Sequence, residues 1–487
     1  MARVVVLGAG VSGHTAALYL KRKLGRAHEV LVVSPNSKWN WIPSNIWVGV
    51  GKMSPERVVF PLAPIYRRKG IDFRQAKAVA ILPEGEASDP RGAVDVVYTD
   101  PARAGQTERI RYDYLINATG PKLKFDATPG LGPDNGHTVS VCTPSHAVDA
   151  AASLAHVIER LKTGQRQILV VGVGHGTCTC EGAAFEYAFN VDHELRAAGV
   201  REKAEIVYLT NEHELGDFGV GGMTFTERGK HISSQVWMES LFHERGMKAV
   251  TQAAVTGIEP GAIHYTQIDG STNTQPFDFA MLLPPFGGVG LTAYDRDGND
   301  ITGKIFAPSG FMRVDANYEP APFEQWSAQD WPRTYQNPSY RNIFGIGIAF
   351  APPHAISRPY AAPDGTAIAP SPPRTGMPSG AMGKVVALTI ADMILAGAKE
   401  PTHSASMGEM AAACIASTGT GLFAGSAAAM SMSPIVPDYA RHPDTDGRDP
   451  KETTGDIGLA AHWVKRLLHT AFIYKAKAYP LWYLIPE

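Results

Sequence analysis

Two short apolar runs in this chain each break into a cluster of glycines. Near the start, Val4-Val5-Val6-Leu7 leads into Gly8-Ala9-Gly10-Val11-Ser12-Gly13, helical spacing follows over 14–22, and a second apolar run covers 30–33. That order predicts a strand, a tight turn, a helix and a parallel strand. Glycines at 8, 10 and 13 permit the turn, the close approach of a pyrophosphate, and close helix–strand packing, with the helix N-terminus facing the phosphates. The acidic residue that usually ends the second strand is absent. Ser34 and Asn36 occupy that region, so ribose recognition falls to other groups.

The second run, Ile168-Leu169-Val170-Val171, enters Gly172-Val173-Gly174-His175-Gly176-Thr177-Cys178. Thr177 stands where the third glycine belongs, and its branched side chain is expected to hinder helix–strand packing and nicotinamide nucleotide docking. Two such units predict an α/β fold with two Rossmann-like dinucleotide-binding domains, the second without its nucleotide. Residues 112–117 read as a strand entering Ala118-Thr119-Gly120-Pro121, and 342–349 as a strand returning to the first domain. The expected division is 1–124 for the first part of an FAD-binding domain and 125–300 for a degenerate second domain. Residues 301–400 form the return segment and 401–487 a C-terminal region. The Pro-rich stretches 316–340 and 354–373 read as surface loops.

Composition narrows the function. With 45 Lys+Arg against 47 Asp+Glu, the 487-residue chain is not a globally basic nucleic-acid binder. Four cysteines are too few for a disulfide scaffold, and no CxxC pair or His cluster completes a metal site. No secretory signal precedes the first strand. The uncharged stretch 410–437 is rich in Ala, Gly, Ser, Thr and Met, which predicts buried or loop structure rather than a membrane span. Between 457 and 486 no acidic residue occurs. There Trp463, Val464, Leu467, Leu468, Ala471, Phe472 and Tyr474 alternate with His462, Lys465, Arg466, Lys475 and Lys477 at helical spacing. A basic amphipathic helix lying in a membrane surface has this pattern, as does a helix packed on the core or on a second subunit.

Several blocks together resemble the sulfide:quinone oxidoreductases, within the flavocytochrome c sulfide dehydrogenase-like flavoproteins. They are Trp41-Ile42-Pro43-Ser44-Asn45-Ile46-Trp47-Val48-Gly49-Val50-Gly51, Ala118-Thr119-Gly120-Pro121-Lys122-Leu123 and Cys142-Thr143-Pro144-Ser145-His146-Ala147. Cys180-Glu181-Gly182-Ala183-Ala184-Phe185-Glu186, Arg374-Thr375-Gly376 and Cys414-Ile415-Ala416-Ser417-Thr418-Gly419 complete the series. The resemblance implies bound FAD, oxidation of sulfide to polysulfide or sulfur, and electron transfer to a membrane quinone. It places Gly8, Gly10, Gly13, Ser34, Pro43, Ser44, Asn45, Ala118, Thr119, Gly120, Gly347, Arg374, Thr375 and Gly376 around the cofactor.

Cysteine sulfur suits sulfide because thiol–disulfide exchange captures HS⁻ as a persulfide. By resemblance the redox pair is Cys180 and Cys414, bridged directly or through sulfur. The resemblance implies that Cys142 belongs to a block that lies beside the flavin in some family members, and whether a thioether joins them stays open. Cys178 is either structural or an accessory sulfur acceptor. His146 is an acid–base candidate or a structural histidine, and Glu186 matches a carboxylate that assists proton transfer. Where family members carry a second histidine, this chain has Asp217. Phe472 and Tyr474 are the candidates for contacting a quinone ring. The partners implied are sulfide, quinone and a membrane lipid surface reached through the C-terminal segment. Homo-oligomer formation and the membrane face are left open. Rival readings are the flavoprotein subunit of flavocytochrome c sulfide dehydrogenase and an NADH:quinone dehydrogenase.

Overall fold

The computed structural model describes all residues except 228–229, 374–375, 420 and 422–424. Its first sheet runs Ile343–Gly345, Tyr114–Asn117, Arg3–Leu7, Glu29–Ser34, Asp72–Leu82, all parallel, and continues antiparallel through Ala93–Tyr98 and Thr107–Arg111. Val4, Val5, Val6 and Leu7 are wholly buried, as a central parallel strand covered on both faces requires. Helix Val11–Leu24 follows and packs against helix Gly376–Leu395. The contact is close: a Cβ on Gly383 would lie 2.4 Å from the Ser12 carbonyl oxygen. Gly376–Leu395 is long and apolar enough to span a membrane by length and composition, yet Met382, Val386, Ala387 and Ile390 are fully buried in this contact.

The second unit holds a parallel sheet in the order Lys248–Val250, Ala204–Leu209, Gln167–Val173, Phe279–Leu283. The chain enters and leaves it at Lys122–Leu123 and Phe286–Gly287, which pair with each other. Thr292–Ala293 already pairs with Asp72–Leu82 of the first sheet, so the return to that sheet begins before residue 301. Stretch 316–340 is more than a surface loop. Trp331 and Tyr335 are buried, with Trp331 Nε1 donating to His354 Nε2 at 2.9 Å and Tyr335 Oη to the Ala405 carbonyl at 2.6 Å.

The Ala- and Ser-rich region reads differently in three dimensions. Ala412–Thr418, Ser426–Met432 and Thr454–Gly458 form a three-stranded antiparallel sheet whose small side chains admit close neighbours. Helix Leu459–Ala476 lies against it and ends on the first domain.

Candidate active site

A cavity of about 1550 Å³ opens between the two sheets and the C-terminal helix. An ordinary small-molecule pocket holds roughly 300–1,000 Å³, so there is room for a large cofactor and a second ligand. Its floor is the first glycine loop. Gly8 has φ 99°, and a Cβ there would fall 2.1 Å from the Ala118 carbonyl oxygen. A Cβ on Gly13 would fall 2.2 Å from the Gly8 oxygen, whereas Gly10 has nothing within 4 Å. Gly8 and Gly13 therefore serve the turn and the packing, and Gly10 leaves space. Helix Val11–Leu24 begins at that space with no side-chain cap and no acidic residue in its first turn. Free N–H groups and the helix dipole thus face the cavity, which fits the pyrophosphate of FAD.

Gly8, Gly10, Ser34, Pro43, Ala118, Thr119, Gly120 and Gly376 line the cavity. Ser34 ends its strand with a hydroxyl that accepts from the Asn36 N–H at 3.3 Å, and Asn36 lines the same wall. The other expected cofactor residues support from behind. Gly347, with φ 62°, would carry a Cβ 2.5 Å from Ser12 Oγ. Ser44 Oγ bonds His469 Nδ1 at 2.9 Å, and Asn45 Nδ2 donates to the Val141 carbonyl at 3.2 Å. Arg374 and Thr375 lie outside the described residues.

Cys142, Cys180 and Cys414 all line the cavity, and all four cysteines are unbridged. Cys180 caps helix Glu181–Ala197 in the left-handed region, φ 73°, a strained backbone for a residue with a Cβ. Cys414 projects from its strand onto the same helix turn: its Sγ is 2.8 Å from where a Gly182 Cβ would sit. Burial, and then the Glu186 carboxylate, push the Cys414 thiol up to about 11. Burial also pushes Cys142 up to about 11, against the Ser140 hydrogen bond. Cys178 stays off the cavity, wholly buried, its thiol donating to the Leu283 carbonyl at 3.1 Å.

Glu186 is buried at the cavity wall and takes two hydrogen bonds. The Ser417 N–H donates to Oε1 at 3.2 Å and Lys465 Nζ to Oε2 at 2.9 Å. Burial raises this carboxyl, and the Lys465 ammonium opposes the rise. Lys465 also donates to the Ile415 carbonyl at 3.1 Å. The sequence names this lysine among the basic residues of an amphipathic helix, and the helix turns it inward. His462, Lys465, His469 and Phe472 share the inner face, while Trp463, Val464 and Leu467 are exposed on the outer one.

Phe472 lines the cavity and stacks on Trp41 at 4.7 Å and 13°. Trp39 stacks on Trp41 at 6.0 Å and on Phe60 at 4.9 Å, so four flat rings line one wall. Tyr474 faces away; it is exposed, with its hydroxyl donating to the Pro480 carbonyl at 2.8 Å. Helical geometry explains this, since two residues on a helix point about 200° apart. His146 also leaves the site. Its ring packs edge-on against Phe125 at 5.7 Å and does not reach the cavity lining. Sequence reading missed His469, which lines the cavity and is held down at about 4 by burial and then by Arg57, Lys465 and Arg466. Its spacing of three from Phe472 was the available signal.

The second glycine loop is rebuilt. In the first unit the helix starts one residue after Gly10; here it starts only at Glu181, well past Gly174. Thr177 therefore lies ahead of the helix, its Oγ1 3.0 Å from His175 Nδ1, and does not crowd helix against strand. A different segment fills the groove. The Ala369 N–H donates to the Gly176 carbonyl and the Ser371 N–H to the Cys178 carbonyl, both at 2.8 Å. A Cβ on Gly176 would fall 2.0 Å from the Ala367 oxygen. Stretch 354–373 is thus partly an inward cover over the loop where a nicotinamide nucleotide would dock.

Residues 2–319 match the family model described as pyridine nucleotide-disulphide oxidoreductase. A curated relative, the sulfide-quinone reductase of Aquifex aeolicus (strain VF5), is 29% identical over 474 residues, covering 97% of this chain and 91% of that protein. The X-ray structure of the sulfide:quinone oxidoreductase from the same bacterium superposes with a TM-score of 0.75 at 26% identity, covering 98% of this chain and 92% of that one. The structure of NDH2 from Plasmodium falciparum in complex with NADH shares the fold, with a TM-score of 0.61 at 12% identity over 99% of this chain and 97% of that one.

Proposed function

The chain belongs to the pyridine nucleotide-disulphide oxidoreductase family, and from that premise we propose that it is an FAD-dependent sulfide:quinone oxidoreductase acting at a membrane surface. One observation carries the reading: Cys180 and Cys414, far apart in sequence, meet on one helix turn at the wall of the large cavity. The similarity to the Aquifex aeolicus protein points the same way, because that protein is called a sulfide-quinone reductase and matches nearly the whole chain.

FAD, when bound on the first glycine loop, supplies a two-electron acceptor for a sulfur donor and a two-electron donor for a quinone. The protein supplies the rest. In the oxidised enzyme the two sulfurs are bridged, and HS⁻ attacks one of them. The S–S bond breaks, leaving one cysteine as a persulfide and the other as a thiolate. Cys414 as a free thiol holds its proton tightly, so the nearby Glu186–Lys465 pair is placed to manage that proton. The ring wall from Phe60 to Phe472 offers flat apolar faces to a quinone, and His469 and Lys465 bring polar hydrogen-bonding groups to the same wall.

The outer face of the C-terminal helix, with Trp463, Val464 and Leu467, continues through Leu481 and Leu484, also exposed. Flanked by Arg466 and Lys477, this surface suits an anionic lipid interface, the source of a lipid-soluble quinone. The NADH reading is disfavoured because backbone from 367–371 occupies the second glycine loop.

Anaerobic absorbance at the flavin band tests the assignment. Sulfide is expected to bleach the wild type and a short-chain quinone to restore it, with both changes lost in Cys414→Ala. A flavin indifferent to sulfide but bleached by NADH would overturn it.

A further inference from the structure

Behind the Cys180 wall lies a group of buried acids that the chemistry above does not use. Glu181 is the first residue of the Cys180 helix and has no exposed surface, and neither of its carboxyl oxygens has a hydrogen-bond partner among the described residues. Oε2 lies 3.1 Å from where a Gly219 Cβ would be, so the carboxyl is pressed against the Asp217–Gly219 turn. Two other carboxylates meet the same turn. Glu212 Oε1 accepts the Phe218 N–H at 2.8 Å, and Asp217 Oδ1 accepts the Gly219 N–H at 2.9 Å. Tyr208 Oη is 3.1 Å from both the Glu181 carbonyl and Glu212 Oε2. The turn is also part of the cavity wall, because Phe218 and Val220 line it beside Cys180.

Among the described residues no cation forms an ion pair with these three carboxyls. Among the described residues Arg448 is a buried cation near Asp217, and it gives its guanidinium to the backbone carbonyls of Val220, Gly222, Pro434 and Ile435. Three carboxylates sharing a dry site cannot all ionise, so the group holds at least one proton near neutral pH. The individual tendencies agree. Burial, then Glu212, holds Glu181 far above the usual carboxylate range, and burial brings Glu212 up to about 7. Burial also raises Asp217, which Ser357, the Gly219 and Gly221 N–H groups and Arg448 oppose. The other titratable groups facing the cluster are Cys178, Tyr208 and, beyond Arg448, Tyr439. Asp217 is the outer member: it accepts from Ser357 Oγ, which also takes the N–H of exposed Gly221.

We propose that Glu181, Glu212 and Asp217 form a buried proton relay that carries the proton of sulfide from the Cys180 side of the cavity to the surface at Gly221. The inference rests on the sulfide reading and adds to it the route by which the substrate proton leaves. The step is proton transfer alone. The S–H bond of sulfur held at Cys180 breaks, its electron pair stays on sulfur, and the proton enters Glu181 as the proton already there passes to Glu212. Glu212 hands one on to Asp217 and thence to water. Glu181 is the first proton acceptor of the relay and sits behind the wall rather than lining the cavity.

Two readouts on the FAD-loaded enzyme test this. Infrared difference spectra of resting protein, without substrate, are expected to show the carbonyl stretch of a protonated buried carboxyl. That band shifts in deuterium oxide and is lost in Glu181→Gln. Sulfide-dependent quinone reduction by the same variant should fall about tenfold or more with an altered pH profile, Glu181→Asp should restore part of it, and Asp217→Asn should reproduce the loss. A sulfide-active wild type whose rate and pH profile Glu181→Gln matches sinks the relay alone. A wild type indifferent to sulfide sinks the sulfide reading, and the relay's cargo with it, even if the infrared band is present.

Discussion

Gly182 shows how narrowly the two cysteines are accommodated. Its hydrogen faces Cys414, and a methyl group there would stand 2.8 Å from Sγ, nearer than an unbonded carbon and sulfur can approach. The backbone at Gly182 is helical, so alanine fits the chain itself and even gains helix propensity, about 1 kcal/mol. Gly182→Ala therefore separates stability from chemistry. The melting temperature should hold or rise slightly while the Cys414 sulfur is pushed off the turn. Misplacing a reacting group by about 1 Å costs on the order of a hundredfold, so the rate of sulfide bleaching should drop by that order with FAD still bound. Stopped-flow bleaching measured beside thermal unfolding checks both halves, and unchanged bleaching would show that the sulfur has room to move.

At the scale of the element, the C-terminal helix carries two functions on opposite faces. Leu467, Val464 and Trp463 are exposed and do not line the cavity, whereas Lys465, His469 and Phe472 do. Burying one large apolar side chain contributes roughly 1.5–3 kcal/mol. Val464→Glu with Leu467→Glu should thus weaken binding to anionic vesicles by at least about tenfold per site and leave activity with a water-soluble quinone intact. Equal vesicle sedimentation of variant and wild type would remove this face from the docking surface. The two faces also mark what the sequence made legible. Strands, the first glycine loop and the cysteine blocks rest on local pattern, and Gly8, Gly10, Cys142, Cys180 and Cys414 line one cavity. The orientation of Lys465 depends on a buried partner, Glu186, contributed by a distant helix, and no periodicity reports that. For the same reason Tyr474 and His146 pointed elsewhere, and Trp39 and His469 went unnoticed. The cover over the second glycine loop was illegible too, because 367–371 meets 176–178 through backbone hydrogen bonds, which are indifferent to side-chain identity.

For the whole molecule, the two ends of the chain are fastened together across the first domain. Lys475 Nζ pairs with Glu487 at 2.6 Å and donates to the Ile485 carbonyl at 2.8 Å. Trp482 packs edge-on against Tyr19 at 4.8 Å, and Arg22 lies over the Tyr483 ring at 3.6 Å. At the centre His14, wholly buried on the first helix, reaches the last turn of the C-terminal helix. Its Nε2 is 2.7 Å from the Ala476 carbonyl, which can only accept, so Nε2 carries the hydrogen. Nδ1 is left to accept from Tyr66 Oη at 2.9 Å, and the ring is neutral. Burial lowers this histidine from 6.5 to about 4, against the pull of the Ala476 carbonyl. Between those two values the unfolded chain binds a proton that the folded one refuses, so stability rises with pH across that window and is lost as pH falls through it. The loss expected from His14 is roughly 3 kcal/mol between pH 6.5 and 4. His14→Gln keeps a donor for Ala476 but cannot titrate. Its denaturant-derived stability should start below wild type at pH 7 and decline less steeply toward pH 4. His469 remains in both proteins, so the difference in slope isolates His14, and parallel curves would show that the clamp between the chain ends does not depend on a neutral ring.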